Sequence, residues 1–348
     1  MSEDFAPRLL RWFDAHGRHD LPWQHPREPY RVWLSEIMLQ QTQVATVIPY
    51  FFRFVEKLKN IRELASASRD DVYALWSGLG YYSRARNLHA AAKICVELHD
   101  GELPDDFESL LDLPGVGRST AGAILAQAFN RRFAILDGNV KRVLARFHGI
   151  REWPGATATE KRLWQLAESH TPHERVADYT QAIMDLGAGI CSRAKPRCNA
   201  CPLSADCIAH RDGLTSALPA RKPAKARPTR HTVMLVLRDA CGRLLLERRA
   251  PTGVWAGLWS LPEAADEAAA RHEIAHAHRL LANEIVFRAL PPFSHGFSHY
   301  QLDVTPLALE LEPAHGIADG GERRWLHPAE AAALGLPAPV RKLIESLS

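Results

Sequence analysis

Four cysteines fall within seventeen residues, Cys191, Cys198, Cys201 and Cys207, in the spacing C-x6-C-x2-C-x5-C. The chain opens Met1-Ser2-Glu3-Asp4, without the basic and apolar regions of a secretory leader, so the expected compartment is the cytosol. Thiols this close in a cytosolic chain are expected to bind metal rather than pair as disulfides. Zinc sites usually use two tight cysteine pairs, and here only one pair is tight. The long outer spacings suit a larger object, so a four-thiolate iron–sulfur cubane fits best, with zinc as the alternative. Arg193, Lys195 and Arg197 lie between the first two cysteines, where a rigid metal knot would hold three cations against a phosphate backbone. Cys95 and Cys241 stand apart and read as ordinary buried thiols.

Two acids could do proton and charge chemistry. Glu36 stands in Trp33-Leu34-Ser35-Glu36-Ile37-Met38, where apolar neighbours on a half-buried helix should raise its pKa, as a general acid requires. Asp137 stands in Leu136-Asp137-Gly138-Asn139, a turn into a helix. It is either a helix cap or a fixed negative charge facing a site. An acid for the leaving group and a carboxylate for a sugar cation make up the logic of glycoside cleavage. Between them lies Leu113-Pro114-Gly115-Val116-Gly117. Two glycines one residue apart let backbone N–H groups approach an anion, with a helix N-terminus aimed at the same place. A plain helix–helix turn gives the same string, and the dinucleotide fingerprint does not apply.

The elements that must position these groups are helices in front and strands behind. Tyr30, Trp33, Leu34, Ile37 and Met38 form one helical stripe after Pro29. Further helices are expected at 72–76, 85–98, 119–129, 140–147, 160–168 and 176–186. Leu218–Arg230, with three prolines, five Lys or Arg and no acid, reads as an extended basic linker. Beyond it, 232–237 and 243–247 predict a β-hairpin. Strands at 285–290 and 299–311 and helices at 264–281 and 339–347 complete an α+β pattern. The expected division is therefore 1–217, 218–230 and 231–348. The 348 residues are 46% hydrophobic, which excludes global disorder, and no apolar run approaches a membrane span. Residues 1–230 hold 32 Lys and Arg against 26 Asp and Glu, and the rest hold 11 against 14, so a polyanion partner suits the front part.

The Gly-Val-Gly hairpin, the Asp-Gly-Asn turn some twenty residues later and the four cysteines together resemble the helix-hairpin-helix superfamily of DNA glycosylases, its adenine-removing MutY branch most closely. The strings Leu21-Pro22-Trp23, Trp33–Pro49, Trp76–Asn87, Leu113–Ala123, Ile135–Arg146 and Met184–Cys207 carry the likeness over nearly the whole chain. The resemblance implies an all-α helix-hairpin-helix catalytic region with one [4Fe-4S] cluster on the four cysteines, joined to a Nudix-like α+β domain that reads 8-oxoguanine. It implies a monomer acting on double-stranded DNA with A:8-oxoguanine or A:G mispairs and no membrane. The adenine would be flipped out. Glu36 would protonate adenine N7, Asp137 would stabilise the oxocarbenium, directly or through a transient covalent bond, and Asn139 would support Asp137 and the water. Endonuclease III-like members carry a lysine nucleophile where this chain has Ser119, which implies a monofunctional enzyme. Lys141 remains a candidate for weak lyase chemistry, and a bifunctional glycosylase/lyase for oxidised bases is the alternative. Gln41 and Tyr81 match residues that wedge into the duplex. Leu39 and Gln40 share the first motif, and Gly115, Gly117, Ser119 and Lys141 are further expected DNA contacts.

Behind the linker, Trp255–Pro262 resembles a Nudix lead-in, yet the acidic metal-binding box is missing, so nucleotide hydrolysis is not expected. Phe297, Ser298 and His299 match the loop that reads the damaged base. Two rivals remain. His272-Glu273-Ile274-Ala275-His276 fits the zinc-protease pattern, but the histidines fall away from the apolar stripe of Ile274 and Leu281 and should face solvent. A non-catalytic DNA-binding module with a redox cluster would tolerate Glu36→Gln.

Overall fold

The computed structural model describes residues 4–222, 227–278, 281–297, 299–311, 322–332 and 334–347. The chain divides into two compact units, Met1–Ala67 with Arg86–Ala224, and Ser68–Ala85 with Lys225–Ser348.

The first unit is helical. It holds α1 (Phe5–His16), α2 (Pro29–Leu39), α3 (Val44–Lys57) and α4 (Ile61–Ser66). The second unit claims α5 (Arg69–Trp76) and the first turn of α6 (Ser83–Leu98). The first unit resumes along α6 and adds α7 (Phe107–Asp112), α8 (Arg118–Phe129), α9 (Gly138–Phe147), α10 (Thr157–His170), α11 (Val176–Asp185) and the short α12 (Ile208–Arg211). Local chemistry sets the helix starts. Pro29 opens α2, and the side chains of Asn60, Ser68, Asp106 and Asp137 accept the free N–H groups of α4, α5, α7 and α9. Helix α8 is central, with Ala121 through Gln127 all buried. A side chain at Gly122 would meet the Ala134 carbonyl at 2.4 Å, so glycine there lets the strand-like approach to Asp137 press against α8. After α11 the chain widens into a π-turn over Leu186–Ile190, directly before Cys191. Helices α1 and α3 were not among the sequence expectations. Both are amphipathic, burying Phe5, Leu9 and Phe13, and Val47, Phe51 and Phe54.

The second unit is built on a mixed sheet of β1 (Thr229–Asp239), β2 (Leu244–Arg248), β3 (Trp259–Ser260), β4 (Glu263–Ala264), β5 (Arg288–Ala289), β6 (Phe293–Gly296), β7 (Gln301–Leu311) and β8 (Arg323–Leu326). Its path runs β3-β2-β1-β7-β5, with β1 and β7 parallel from Thr229 opposite Gln301 to Asp239 opposite Leu311. Strand β1 is buried on both faces, as its unbroken apolar run requires. Met234 and Val236 face α14 (Pro328–Ala332) and α15 (Ala338–Glu345), while Val233, Leu235 and Leu237 face α13 (Glu267–His278). The expected hairpin is β1–β2. The expected strand 285–290 shrinks to Arg288–Ala289, because Val286 is exposed and its neighbours lack a partner strand over most of that run. Helix α5 and its continuation pack with this sheet unit. Asp70 accepts two bonds from Arg248 at 2.8 and 3.0 Å, Tyr82 donates to Leu336 O at 3.3 Å, and Arg341 donates to Ser77 at 2.6 Å. None of these pairings is marked by a motif.

Candidate active site

Glu36 and Asp137, a hundred residues apart in sequence, line one cavity of about 660 Å³ in the first unit. That lies within the range of small-molecule sites, about 300–1,000 Å³. Leu39, Gln40, Ser119 and Asn139 line it too, as do Arg18, Trp23, Gln181 and Met184. The stripe on α2 explains the place of Glu36. Trp33, Leu34, Ile37 and Met38 are buried around it, so its carboxyl emerges among apolar side chains. Burial raises that carboxyl from 4.5 to about 7; the Gln127 amide, donating to Oε1 at 2.9 Å, pulls it down, and the nearby Asp137 pushes it up.

Asp137 caps α9, accepting the Val140 N–H at 2.8 Å and the Asn139 amide at 3.3 Å. Burial raises this carboxyl also, opposed by the Val140 and Asn139 bonds and by the Arg142 charge. The cap and the cavity-lining acid, alternatives in the sequence, are thus one side chain. Burial thus pushes both acids toward the neutral form, and more groups oppose the rise at Asp137, where Val140, Asn139 and Arg142 act, than at Glu36, where Gln127 acts.

A chain of bonds runs from this turn to the cysteine loop. Asn139 Oδ1 accepts from Arg142 Nη2 at 2.7 Å, and Arg142 donates onward to Gly187 O at 2.7 Å and Cys191 O at 2.8 Å. One helical turn later, the buried Arg146 donates to Ser192 O at 2.7 Å, to Leu218 O at 2.8 Å, and to Cys191 Sγ at 3.4 Å. Cys191, Cys201 and Cys207 pack on the core of the first unit, and all four cysteines of the run are free and partly buried. Burial raises the Cys198, Cys201 and Cys207 thiols, and neighbouring sulfurs of the set add to the rise. Among the described residues, no three His, Cys, Asp or Glu side chains stand close enough to hold a single metal ion. Cys95 is buried as expected, but Cys241 is exposed, since it sits at the β1–β2 turn.

The remaining expected residues scatter. Ser119 Oγ accepts the Leu136 N–H at 2.9 Å, tying the start of α8 to the residue before Asp137. Gly115 has φ +84, which suits glycine, and Gly117 faces open space where an added Cβ would meet nothing. Lys141 does not reach the cavity wall, because its Nζ pairs with Glu160 at 2.5 Å. Gln41 and Tyr81 are exposed and left-handed at φ 58 and 49, uncommon for such residues; Tyr81 belongs to the second unit. Phe297 is half-buried and His299 exposed, while Ser298 lies outside the described residues. His272 and His276 are exposed on α13, as expected, and Ile274 is buried, but Leu281 lies past the helix and is 63% exposed. Sequence reasoning missed Gln127, Arg142, Arg146 and Arg18. Arg18 is fixed by the buried Asp185, donating at 2.6 and 2.9 Å from its guanidinium and at 2.7 Å from its backbone N–H. The one available signal was Gln127, a lone amide in the apolar string Ala123-Ile124-Leu125-Ala126.

Residues 34–169 match the family model described as HhH-GPD superfamily base excision DNA repair protein, and residues 232–346 match that of the NUDIX domain. An adenine DNA glycosylase of Buchnera aphidicola is 36% identical over 98% of this chain and 97% of its own length. The mouse adenine DNA glycosylase is 36% identical over 97% of this chain and 77% of its own. The chain belongs to the adenine DNA glycosylase family. Among solved structures, a thermostable thymine-DNA glycosylase is 30% identical, covers 60% of this chain and 95% of its own, and gives a TM-score of 0.55. An endonuclease III–DNA complex, 22% identical with a TM-score of 0.51, shares the fold of the helical part. The helical front and the Nudix-like back expected from the sequence are thus both present, and no described helix is long and apolar enough to cross a membrane.

Proposed function

We propose that this protein is a monofunctional glycosylase that removes adenine mispaired with 8-oxoguanine or guanine from double-stranded DNA. The observation that carries the reading is the shared cavity, which Glu36, an acid whose burial raises its pKa to about 7, lines together with Asp137, whose side chain is hydrogen-bonded by Val140 and Asn139. An adenine turned out of the duplex enters that space. The Glu36 carboxyl gives its proton to adenine N7. The C1′–N9 bond then breaks with its electron pair going to the base, which leaves as a neutral molecule. Asp137 stabilises the cation at C1′, water adds there, and the water's proton restores the Glu36 acid. Asn139 keeps Asp137 aimed. Leu39 and Gln40 border the base, and Ser119, unable to form a Schiff base, holds Leu136 in place.

The backbone N–H groups around Gly115 and Gly117 meet a phosphate, and Gln41 and Tyr81 wedge into the stack that the adenine leaves. We divide the chain by role into a catalytic region at 1–217, a basic linker at 218–230 and an 8-oxoguanine-reading domain at 231–348, with residues 68–85 folding into the sheet unit. In the last of these Phe297, Ser298 and His299 read the damaged base. The enzyme works as a monomer in the bacterial cytosol. Cys191, Cys198, Cys201 and Cys207 would hold one [4Fe-4S] cluster. The four thiols stand near enough to shift one another's titration, a donor set of the kind that holds such a cluster, and Arg146 beside Cys191 suits thiolate charge. Such a cluster would brace the loop that Arg142 and Arg146 tie to α9.

The test is alkaline cleavage of a duplex with adenine opposite 8-oxoguanine, run with wild type, Glu36→Gln and Asp137→Asn. Wild type should nick the adenine strand only after alkali, and both variants should bind without releasing base. Unreacted adenine with wild type rejects the assignment. Efficient borohydride trapping favours the bifunctional lyase instead.

A further inference from the structure

The second unit contains an aromatic cluster that the catalytic reading leaves unused. The loop from β2 to β3 is closed by Arg249 N–H to Leu258 O at 2.8 Å, Gly257 N–H to Ala250 O at 3.0 Å and Leu258 N–H to Trp255 O at 3.1 Å. Within it Trp255 has φ +57, in the left-handed region that bulky side chains avoid. Gly253 and Gly257, at φ +91 and +72, take such angles without strain, so the tryptophan between them stands out. A strained residue persists only where its surroundings over-determine it.

Those surroundings are rings. The indole lies 5.6 Å from His295 and 5.2 Å from Phe297, with the Arg249 guanidinium 5.5 Å over it. His295 meets Phe297 edge-on at 4.7 Å. Phe297 also packs on the buried Tyr300 at 4.7 Å, and its N–H donates to Tyr300 O at 2.8 Å, closing the turn between β6 and β7. Arg230 lies 4.7 Å over Tyr300. The turn is therefore gripped from two sides, by Trp255 with His295 and by Tyr300, while His299 stays exposed at its tip.

We infer that Trp255 and His295 are positioning residues for Phe297 and His299, and that their stack sets how sharply the enzyme separates 8-oxoguanine from guanine opposite the target adenine. The inference rests on the reading of that turn as the opposite-base reader. The two purines differ only at N7 and C8. Telling them apart needs polar groups held at fixed distance, and a loosened turn loses that before it loses general DNA affinity.

The experiment compares kcat/KM on duplexes with adenine opposite 8-oxoguanine and opposite guanine, using full-length holoprotein and following melting temperature. Trp255→Ala should lower the 8-oxoguanine preference about tenfold, the effect of two lost ring contacts, with most of the fall on the 8-oxoguanine duplex. Trp255→Tyr should restore most of it, and His295→Ala should lower it less. Trp255→Gly, which fits the backbone angle, should lower the preference with a smaller loss of melting temperature than Trp255→Ala. Phe297→Ala and His299→Ala calibrate the turn itself. If they reduce the preference while both Trp255→Ala and Trp255→Gly preserve it, the inference fails and the reading of the turn stands. If they leave it unchanged, that reading fails and the inference with it. Equal losses on both duplexes in every Trp255 variant assign the residue to folding alone and overturn the proposal.

Discussion

Glu36→Gln should make the protein more stable and inactive at once, and the gain should depend on pH. The folded carboxyl titrates near 7 against 4.5 unperturbed, so as pH rises the unfolded chain releases its proton first. Wild type therefore loses stability between pH 4.5 and 7 and stays penalised above 7. At full strength the rise is worth about 3 kcal/mol; water in the cavity screens part of it, leaving roughly 1.5–3 kcal/mol. Glutamine carries no charge to desolvate, and its carbonyl still accepts the Gln127 amide. Thermal melts at pH 8 should place Glu36→Gln roughly 3–10 °C above wild type. At pH 5, where the folded wild-type acid is neutral, as glutamine always is, the gap should shrink below about 1 kcal/mol. Base release should be lost by at least about 100-fold at both pH values. A gap of the same size at pH 5 and pH 8, or none at either, would refute the claim that Glu36 is a buried, neutral acid.

Asp137→Asn keeps the cap on Val140, so its melting temperature should stay within a few degrees while single-turnover base release falls by about 10²-fold or more. Gly187→Ala places a methyl 2.6 Å from Asn139 Cβ. The resulting shift should cost about 1–3 kcal/mol by denaturant melts and slow base release more than it weakens duplex binding. Arg146→Ala leaves the carbonyls of Ser192 and Leu218 without their donor; purified protein should carry less iron and sulfide, seen as weaker absorbance near 400 nm, and melt several degrees lower. In wild type, single-turnover base release should fall as pH rises through about 7, because the proton donor is lost, and a pH–rate profile checks it.

The sequence made the chemistry legible where one residue type suffices. Glu36 among Trp33, Leu34, Ile37 and Met38 reads as a buried acid because a helical stripe fixes its surroundings. Asp137 before Gly138 reads as a cap because short acids accept free N–H groups. The cysteine spacing singles out four thiols that the fold brings near one another. What stayed hidden depends on long-range pairing. Arg142 and Arg146 look like surface cations on an amphipathic helix until the cysteine loop folds over them. Lys141, one residue earlier, turns to Glu160 instead of the cavity. The partnership of 68–85 with the sheet unit rests on Asp70, Ser77 and Tyr82, whose partners lie up to 264 residues away. Trp255 is similar: its angle and its ring neighbours exist only once β6 and β7 form.

The most direct measurement is a co-crystal structure with a duplex carrying an uncleavable adenosine analogue opposite 8-oxoguanine. It should place the adenine in the cavity beside α2 and α9, with N7 within hydrogen-bonding reach of the Glu36 carboxyl and C1′ facing Asp137. An adenine that stays stacked in the duplex, or that enters with its N7 turned away from Glu36, would contradict the account.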